Sequence, residues 1–590
     1  MWNGLRRSLI DDKTDRASGN DMQTIRRQSG SYRVDYHMLV VIVAGLVISL
    51  PCLLYGFPFY GDDSPFTAVF YQEFSRLVWT GDPYPRWLEK LNGGLGSPTA
   101  YYYAPLTYWV TSLVKPLFRN DLEGWRQLGL STCVAIVGSG VAGYLWLKSV
   151  AGRTGALVGS LTYLILPYHA AIDVYIRGAF AETWTFFWTP IVLLAAHRLI
   201  TGRRCAFPML ALSYAALVLT HLPTVVVFSL IPLAYVLYVS PTGEKKRFLI
   251  RTIVAMALGV GVSAIYVLPA LSMQKFMFQM TEGMGGRYYF ANWFLFTGLR
   301  WSGRYSAYFF AAIGPMLLAI LAWMVAINGL NENRRQAVFW FAIAVCSFAM
   351  MTPISKYVWQ FAPTLQKLQF PFRFNTALSL AVAALIALAF SHWRWQPRSI
   401  TFAIIAVLLA LSWIFTFARA SYFAYPNHYV DQAVIDSVHR RLQQQRDDKE
   451  FRPRWVVSTE EKELDSLLAR IGTSDGDLTK LRVTEGQAKT TIENWTARKV
   501  VFDSDSPTGA AINVSRFYFP GWSVRVDSSE WRATEPSKPG GLISLKVPPG
   551  LHRVELQLLK RRPEIAGQLI SVISLLILLM LVVRGLKGKS

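Results

Sequence analysis

The sequence predicts a polytopic α-helical membrane protein of about twelve transmembrane helices, with a β-sandwich-like extracytoplasmic domain placed before the last of them. Three observations predict it. Of 590 residues, 52% are hydrophobic and only 16% charged, which lies on the membrane side of globular averages. Apolar runs long enough to cross a hydrocarbon core recur along the chain. The formal charge of +23 falls mostly in short loops between those runs, the pattern that fixes membrane orientation, so nucleic acid is set aside as a partner.

Residues 1–36 are polar and carry Arg6, Arg7, Arg16, Arg26, Arg27 and Arg33 with no cleavage site after them; they read as a basic cytoplasmic tail. Spans are expected to begin near His37, Gly124, Thr154, Thr183, Ala206, Pro223, Phe248, Tyr305, Gln336, Asn375, Arg398 and Ile565. With the N-terminus inside, every inward loop is basic, from Lys148 and Arg153 to Arg584, Lys587 and Lys589, so span count and orientation agree. The membrane domain is 37–419, with a first outward loop over 58–123. Within that loop Gly96–Phe118 is apolar but interrupted by Pro98, Pro105 and Pro116. It reads as interfacial, because counting it as a span would invert every later loop.

From 420 to 563 the composition turns polar. Ser437–Lys449 and Thr459–Ile471 look helical, and strands are expected in Ala488–Phe502, Ile512–Phe519 and Trp522–Val526. Alternation in Ile543, Leu545 and Val547, a Pro548-Pro549-Gly550 turn, and alternation in Val554, Leu556 and Leu558 together predict a β-hairpin. Residues 564–590 supply the last span and a basic cytoplasmic tail. Cys52, Cys133, Cys205 and Cys346 lie in apolar spans and read as packing residues.

No phosphate-cradling glycine loop, zinc helix or Ser/His/Asp signature stands in a supporting context. The chemistry left is a cavity lined from outward loop ends: Asp62, Asp63, Glu73 and Arg86; His169, Asp173, Arg177 and Glu182; His221; Glu282 and Arg287; Lys367 and Arg373. Ionisable groups at a membrane mouth mark a wet cavity or a site. A lipid-phosphate substrate needs that placement, with its tail in the bilayer and its phosphate facing cations. His169 and Asp173 are one helical turn apart, yet two ligands are too few for a metal site.

The blocks Gly61-Asp62-Asp63-Ser64-Pro65-Phe66, Gly81-Asp82-Pro83-Tyr84-Pro85-Arg86-Trp87, Asn92-Gly93-Gly94-Leu95-Gly96-Ser97-Pro98, Tyr103-Ala104-Pro105-Leu106, Tyr175-Ile176-Arg177-Gly178-Ala179-Phe180-Ala181-Glu182, Thr220-His221-Leu222-Pro223 and Gln369-Phe370-Pro371-Phe372-Arg373-Phe374 carry a resemblance. They resemble bacterial membrane proteins labelled 6-pyruvoyl-tetrahydropterin synthase-related, a label that describes no pterin chemistry here. Phe519-Pro520-Gly521-Trp522 resembles the end of YfhO-like membrane proteins. Those proteins are similar to the GT-C glycosyltransferase superfamily, which takes sugars from polyprenyl-phosphate carriers and uses an acid in the first outward loop.

The resemblance implies a GT-C-like membrane domain in a bacterial inner membrane, with a periplasmic active face. It implies inverting transfer from a polyprenyl-phosphate sugar donor to a glycan or lipid acceptor. Asp63 matches the acidic position and is the implied general base, with Asp62 the other candidate. The leaving group is already a phosphate, so cations rather than a general acid are needed. Arg86, Arg177, Glu182, His221, Arg287 and Arg373 are the implied substrate-binding residues. Asp62 and Thr67 stand where relatives commonly carry His; those departures leave the choice between the two aspartates, and a divalent cation as cofactor, open. A transporter or flippase of lipid-linked saccharides, and a non-catalytic envelope assembly factor, are the alternatives. A transporter predicts mid-span charges or paired repeats, whereas the charges here sit at outward ends.

Overall fold

The computed structural model of the protein describes residues 35–118, 124–277, 289–297, 306–327, 331–391, 397–425, 451–456, 466–469, 479–538 and 540–587. Ser437–Lys449, most of Thr459–Ile471, and both Glu282 and Arg287 lie outside the described residues. Besides shorter helical turns in the loops, the helices among the described residues are α1 (Tyr36–Tyr55), α2 (Ser64–Trp79), α3 (Gly124–Ile165), α4 (Phe180–Ile200), α5 (Ala206–Val218), α6 (Leu222–Phe228), α7 (Leu230–Val239), α8 (Lys245–Val262), α9 (Ala264–Met273), α10 (Ser306–Ala326), α11 (Asn331–Met350), α12 (Asn375–Ser391), α13 (Pro397–Phe423) and α14 (Arg562–Lys587).

Each expected span start falls in or beside one of these helices. Among the described residues, however, six stretches are long and apolar enough to cross a membrane, and eight if each bent pair is one crossing. Some segments are short, such as the 13-residue α5. Others bend: α8 meets α9 at 72°, and α11 meets Pro353–Phe361 at 82°. The apolar part of the first loop is not a span. Its longest helix, Leu106–Ser112, has 7 residues, about 10 Å of rise against a core of about 30 Å.

Run straight, the 42 residues of α3 would extend about 63 Å. The chain instead reverses at Gly152, whose φ of 72° suits a residue without Cβ. Consequently Gly140 faces Leu164 and Gly159 faces Leu147 across the reversal, where an added Cβ would approach each within 2.9 and 2.8 Å. Helix α12 is the hub, buried from Asn375 to Ala389 and set among α3, α10 and α11. Small residues make this fit. The absent Cβ atoms of Gly155 and Gly159 leave room for the carbonyls of Ala387 and Ala383, a close backbone approach suited to lipid, where packing and not dehydration drives helix contact.

Two antiparallel sheets follow. The strands are β1 (Leu481–Gly486), β2 (Lys489–Trp495), β3 (Lys499–Ser506), β4 (Ala510–Phe517), β5 (Trp522–Val526), β6 (Arg532–Ala533), β7 (Glu535–Pro536), β8 (Leu542–Val547) and β9 (Gly550–Leu558). Their orders are β1-β4-β8-β7 and β2-β3-β9-β5-β6. One buried cluster, including Phe502, Ile512, Val514, Trp522, Ile543, Val554 and Leu556, draws on both sheets. The expected hairpin between β8 and β9 does not form: β8 pairs with β4 and β7, and β9 with β3 and β5. Pro548 and Pro549 lack N–H groups and fix φ near −65°, so this link cannot make the positive-φ two-residue turn of a tight hairpin. It carries the chain to the other sheet. The run Ala488–Phe502, expected to supply strand, holds β2, the turn of the β2–β3 hairpin and the first part of β3, which continues to Ser506.

On the exposed side of the sheets the His552 ring pairs with Asp527, whose Oδ1 also accepts the Arg553 N–H at 2.8 Å. The Asp527 hydrogen bond raises the His552 imidazole above its ordinary 6.5, and His552 lowers the Asp527 carboxyl below its ordinary 3.8. The histidine contribution is present below 6.5 and lost as pH rises through its raised value. The aspartate contribution is present above 3.8 and lost as pH falls through its lowered value. The contact is thus strongest between those limits. In protein with labelled histidines, the signal removed by His552→Gln is expected to titrate above 6.5 and to move down in Asp527→Asn. A His552 signal indifferent to Asp527→Asn would mean the pair does not form in solution.

The first loop lies between bundle and sheets. Trp87 is fully buried and meets Trp522 edge-on at 5.6 Å, while Phe517 N–H donates to Leu95 O at 2.8 Å. Arg498 grips Asp82 through two bonds of 2.7 and 3.0 Å and donates to Tyr84 O. Arg516, itself buried, stands 3.8 Å from Glu89, which pairs with Arg76 at 2.6 Å. Arg76 in turn pairs with Glu73 at 2.8 Å.

Candidate active site

The site forms where the start of α2 meets the turn before α4. Pro65, in the first turn of α2, has no N–H to leave unsatisfied there. Asp63 stands at the N-cap, yet its carboxylate makes no capping bond; it faces Arg177, with Oδ2 3.8 Å from Nη2. Backbone bonds set this placement. Asp62 N–H donates to Ile176 O at 3.2 Å and Asp63 N–H to Arg177 O at 2.6 Å.

The opposing strip, Tyr168–Ile176, is a π-helix, a rare conformation found often at functional sites. It continues into Arg177, whose N–H bonds to Ile172 O. Gly178 then turns with φ of 63°. Gly61 and Gly178 touch through their backbones: a Cβ on Gly61 would stand 2.7 Å from Gly178 N and 2.8 Å from its Cα. Gly61→Ala must therefore push the Asp62–Asp63 turn off the π-helix, an overpacking cost of about 1–3 kcal/mol. It is expected to melt below Gly243→Ala, where an added Cβ meets nothing within 4 Å. Equal melting temperatures for the two variants would remove the interlock.

Arg177 is the centre of the cluster. Its Nη1 donates to Asp173 Oδ1 at 2.5 Å, to Glu182 Oε2 at 2.8 Å and to the Tyr168 hydroxyl at 3.3 Å. Tyr168 donates in turn to Glu182 Oε1 at 2.8 Å, and Arg373 Nε lies 3.9 Å from Glu182 Oε2. Side-chain exposure runs from 0% at Asp173 and 1% at Glu182, through 6% at Arg177 and 12% at Arg373, to 47% at Asp63. Buried charges persist only when paired and hydrogen-bonded, and here the paired layer holds a half-exposed carboxylate at its surface. Two such buried polar atoms, Asp173 Oδ2 and Arg373 Nε, have no hydrogen-bond partner among the described residues. The wall is aromatic: Phe372 lies 5.3 Å from the Arg177 guanidinium, stacks on Tyr308 at 4.4 Å and on Phe370 at 5.0 Å.

The structure brings together Asp62, Asp63, Arg177, Glu182 and Arg373. His221 precedes α6, shares a hydrogen with Thr224 Oγ1 at 2.9 Å, and has Glu182, Arg373 and Arg177 as its neighbouring charges. Arg86 does not join them. It is buried, donates to Ala100 O and Ile265 O, and lies over the Tyr84 ring at 3.7 Å, so it braces the first loop against α9. Arg287 lies outside the described residues. Lys367 reaches Gln274 at 3.5 Å. His169 and Asp173 face different partners: His169 contacts Ser139 and the Tyr163 carbonyl and stacks on Phe186, while Asp173 pairs with Arg177. Among the described residues no three His, Cys, Asp or Glu side chains group as metal ligands. Sequence reading missed Tyr168 and Tyr308, because a tyrosine in an apolar run looks like packing. It also passed over Asp173-x-x-x-Arg177, a spacing that places the two on one helical face.

Fold and site define a helical membrane protein with a C-terminal β-sheet region and an ion-paired cluster at one end of its bundle. The chain belongs to the 6-pyruvoyl-tetrahydropterin synthase related family of membrane proteins, whose model matches residues 100–426. No curated protein matches the sequence. Among solved structures it is similar to arabinofuranosyltransferase AftD from Mycobacteria, with 17% identity, a TM-score of 0.42, and coverage of 70% of this chain and 29% of that one. An Archaeoglobus fulgidus oligosaccharyltransferase gives 14% identity, a TM-score of 0.45, and 70% and 60% coverage. ArnT from Cupriavidus metallidurans, bound to undecaprenyl phosphate, gives 15%, 0.32, and 60% and 78%. The chain spans less than two thirds of the first two proteins.

Proposed function

We infer that the protein is a GT-C-type membrane glycosyltransferase that moves a sugar from a polyprenyl-phosphate donor to an extracytoplasmic glycan or lipid acceptor, with inversion. The observation that carries this reading is the half-exposed Asp63 carboxylate held 3.8 Å from the buried Arg177 guanidinium. In the reaction the acceptor oxygen bonds to the anomeric carbon as its proton passes to Asp63. The bond from that carbon to the phosphate oxygen breaks, and the electron pair leaves with polyprenyl phosphate. Arg177 and Arg373 stabilise the charge that develops there, with Phe370 and Phe372 beside the prenyl chain. The reading includes a bacterial inner-membrane location with both termini cytoplasmic and the Asp63 face periplasmic. It also takes the two sheets as a small sandwich over that face, supported by their shared buried cluster.

The cluster sets the carboxylates of Asp62, Asp63, Asp173 and Glu182 against the guanidinium groups of Arg177 and Arg373. A divalent cation such as Mg²⁺, held by one or two of these carboxylates and the donor phosphate, is the cofactor this reading admits. The test is consumption of polyprenyl-phosphate sugars, taken as a panel, by the purified protein with Mg²⁺ and with EDTA. Transfer from one donor supports the reading. If no donor is consumed in either condition while lipid-linked saccharide crosses proteoliposomes holding the protein, the reading fails and a transporter replaces it.

A further inference from the structure

A second cluster of charge lies away from Asp63, where α9, α14 and the polar region meet. Lys275 Nζ stands 5.2 Å from the centre of the Phe276 ring, the Arg454 guanidinium 5.8 Å and the Arg561 guanidinium 5.5 Å. Arg454 also lies 4.9 Å from Trp455, which stacks on Phe276 at 5.7 Å and meets Tyr518 edge-on at 4.7 Å. The backbone holds this arrangement: Arg454 N–H donates to Phe276 O at 3.0 Å, and Met277 bridges to Pro453. One Arg454 N–H reaches Lys275 O at 3.3 Å, which uses one of its five donors.

Among the described residues none of these three cations makes an ion pair within 4.0 Å. Two acids lie nearby: Glu564 accepts the Arg561 backbone N–H and the Tyr101 hydroxyl, and Glu535 acts on Tyr518 together with Arg561 and Arg454, one carboxylate against three cations. Three like charges converging on one ring repel one another, and an anion between them would relieve that repulsion. Their depth is informative. Phe276 ends the broken apolar pair that begins at Thr242, and Arg562 begins the last apolar crossing. The two helices are in register, with Ile265 N–H donating to Ser571 Oγ at 2.8 Å. Lys275 and Arg561 therefore sit at the ends of two apolar helices, with Arg454 held beside them, where a bilayer spanned by those helices would place its headgroups.

We propose that Lys275, Arg454 and Arg561, gathered on Phe276 and Trp455, form a binding site for a phosphate group carried by a lipid headgroup or free in solution. The site is independent of the transferase reading. The full chain in neutral detergent is titrated with dihexanoyl-phosphatidylglycerol, dihexanoyl-phosphatidylcholine and inorganic phosphate. Phosphatidylglycerol is expected to bind better than phosphatidylcholine, with affinity falling roughly fivefold for each cation removed in Arg454→Gln, Arg561→Gln and the double variant. Arg454→Lys, which keeps the charge, retains binding, and melting temperatures report any loss of fold. Phosphatidylglycerol binding more tightly than inorganic phosphate identifies a lipid as the source; equal binding identifies soluble phosphate. Either result supports the site. A folded Arg454→Gln/Arg561→Gln protein that binds phosphatidylglycerol like wild type overturns it, as does a wild type that does not distinguish the two lipids.

Discussion

Arg177→Met is expected to destabilise the protein by about 3–5 kcal/mol, the range for removing one partner from a buried ion-paired set. The reason lies in what remains. Asp173 and Glu182 are 0% and 1% exposed at their side chains, and Met offers neither a charge nor a donor. Arg373, at 3.9 Å from Glu182, is too distant to replace two short charge-assisted bonds. The variant should melt well below wild type in detergent, and Arg177→Met combined with Asp173→Asn should recover part of the loss, since one buried charge is then gone. A single Arg177→Met variant that melts with wild type would show that the cluster is hydrated and not buried.

Asp63→Asn should behave in the opposite way. The substitution is close to isosteric, the side chain is 47% exposed, and the pair it breaks is 3.8 Å long. Pairs of that exposure contribute about 1 kcal/mol or less, so the melting temperature should hardly move. Loss of a positioned base lowers a rate by roughly 10²–10⁴, and sugar transfer should fall by that factor. Asp62→Asn should fall less, because it is the Asp63 carboxylate that stands 3.8 Å from Arg177. The order reversed would hand the base role to Asp62. Full transfer in both variants would end the catalytic assignment for this turn.

Much of the scaffold is legible in the sequence because hydropathy and turn residues are local. The starts of the helices follow from apolar runs, and Trp522–Val526 emerges as a strand with the bounds that alternation predicts. Which strands pair is a different matter. Alternation in β8 and β9 says that each has a buried face but not that they face the same core from different sheets. The prolines between them were the available clue. In the site, the Asp63, Arg177, Glu182 and Arg373 blocks stand out as charge at span ends, but their separation along the chain hides their contact. Arg86 stands out in the same way, and its role depends on carbonyls at Ala100 and Ile265 that no pattern of side chains announces.

The position of the first loop between bundle and sheets also has a consequence for biosynthesis. Asp82 and its partner Arg498 are 416 residues apart. At about 5–20 residues per second, synthesis needs roughly 20–80 s to deliver the arginine after the aspartate. Through that interval Trp87 and Leu95 have no Trp522 or Phe517 to cover them. The segment bearing the candidate base thus emerges long before it is sealed, and a nascent chain stalled before β3 would present that apolar surface to chaperones or proteases.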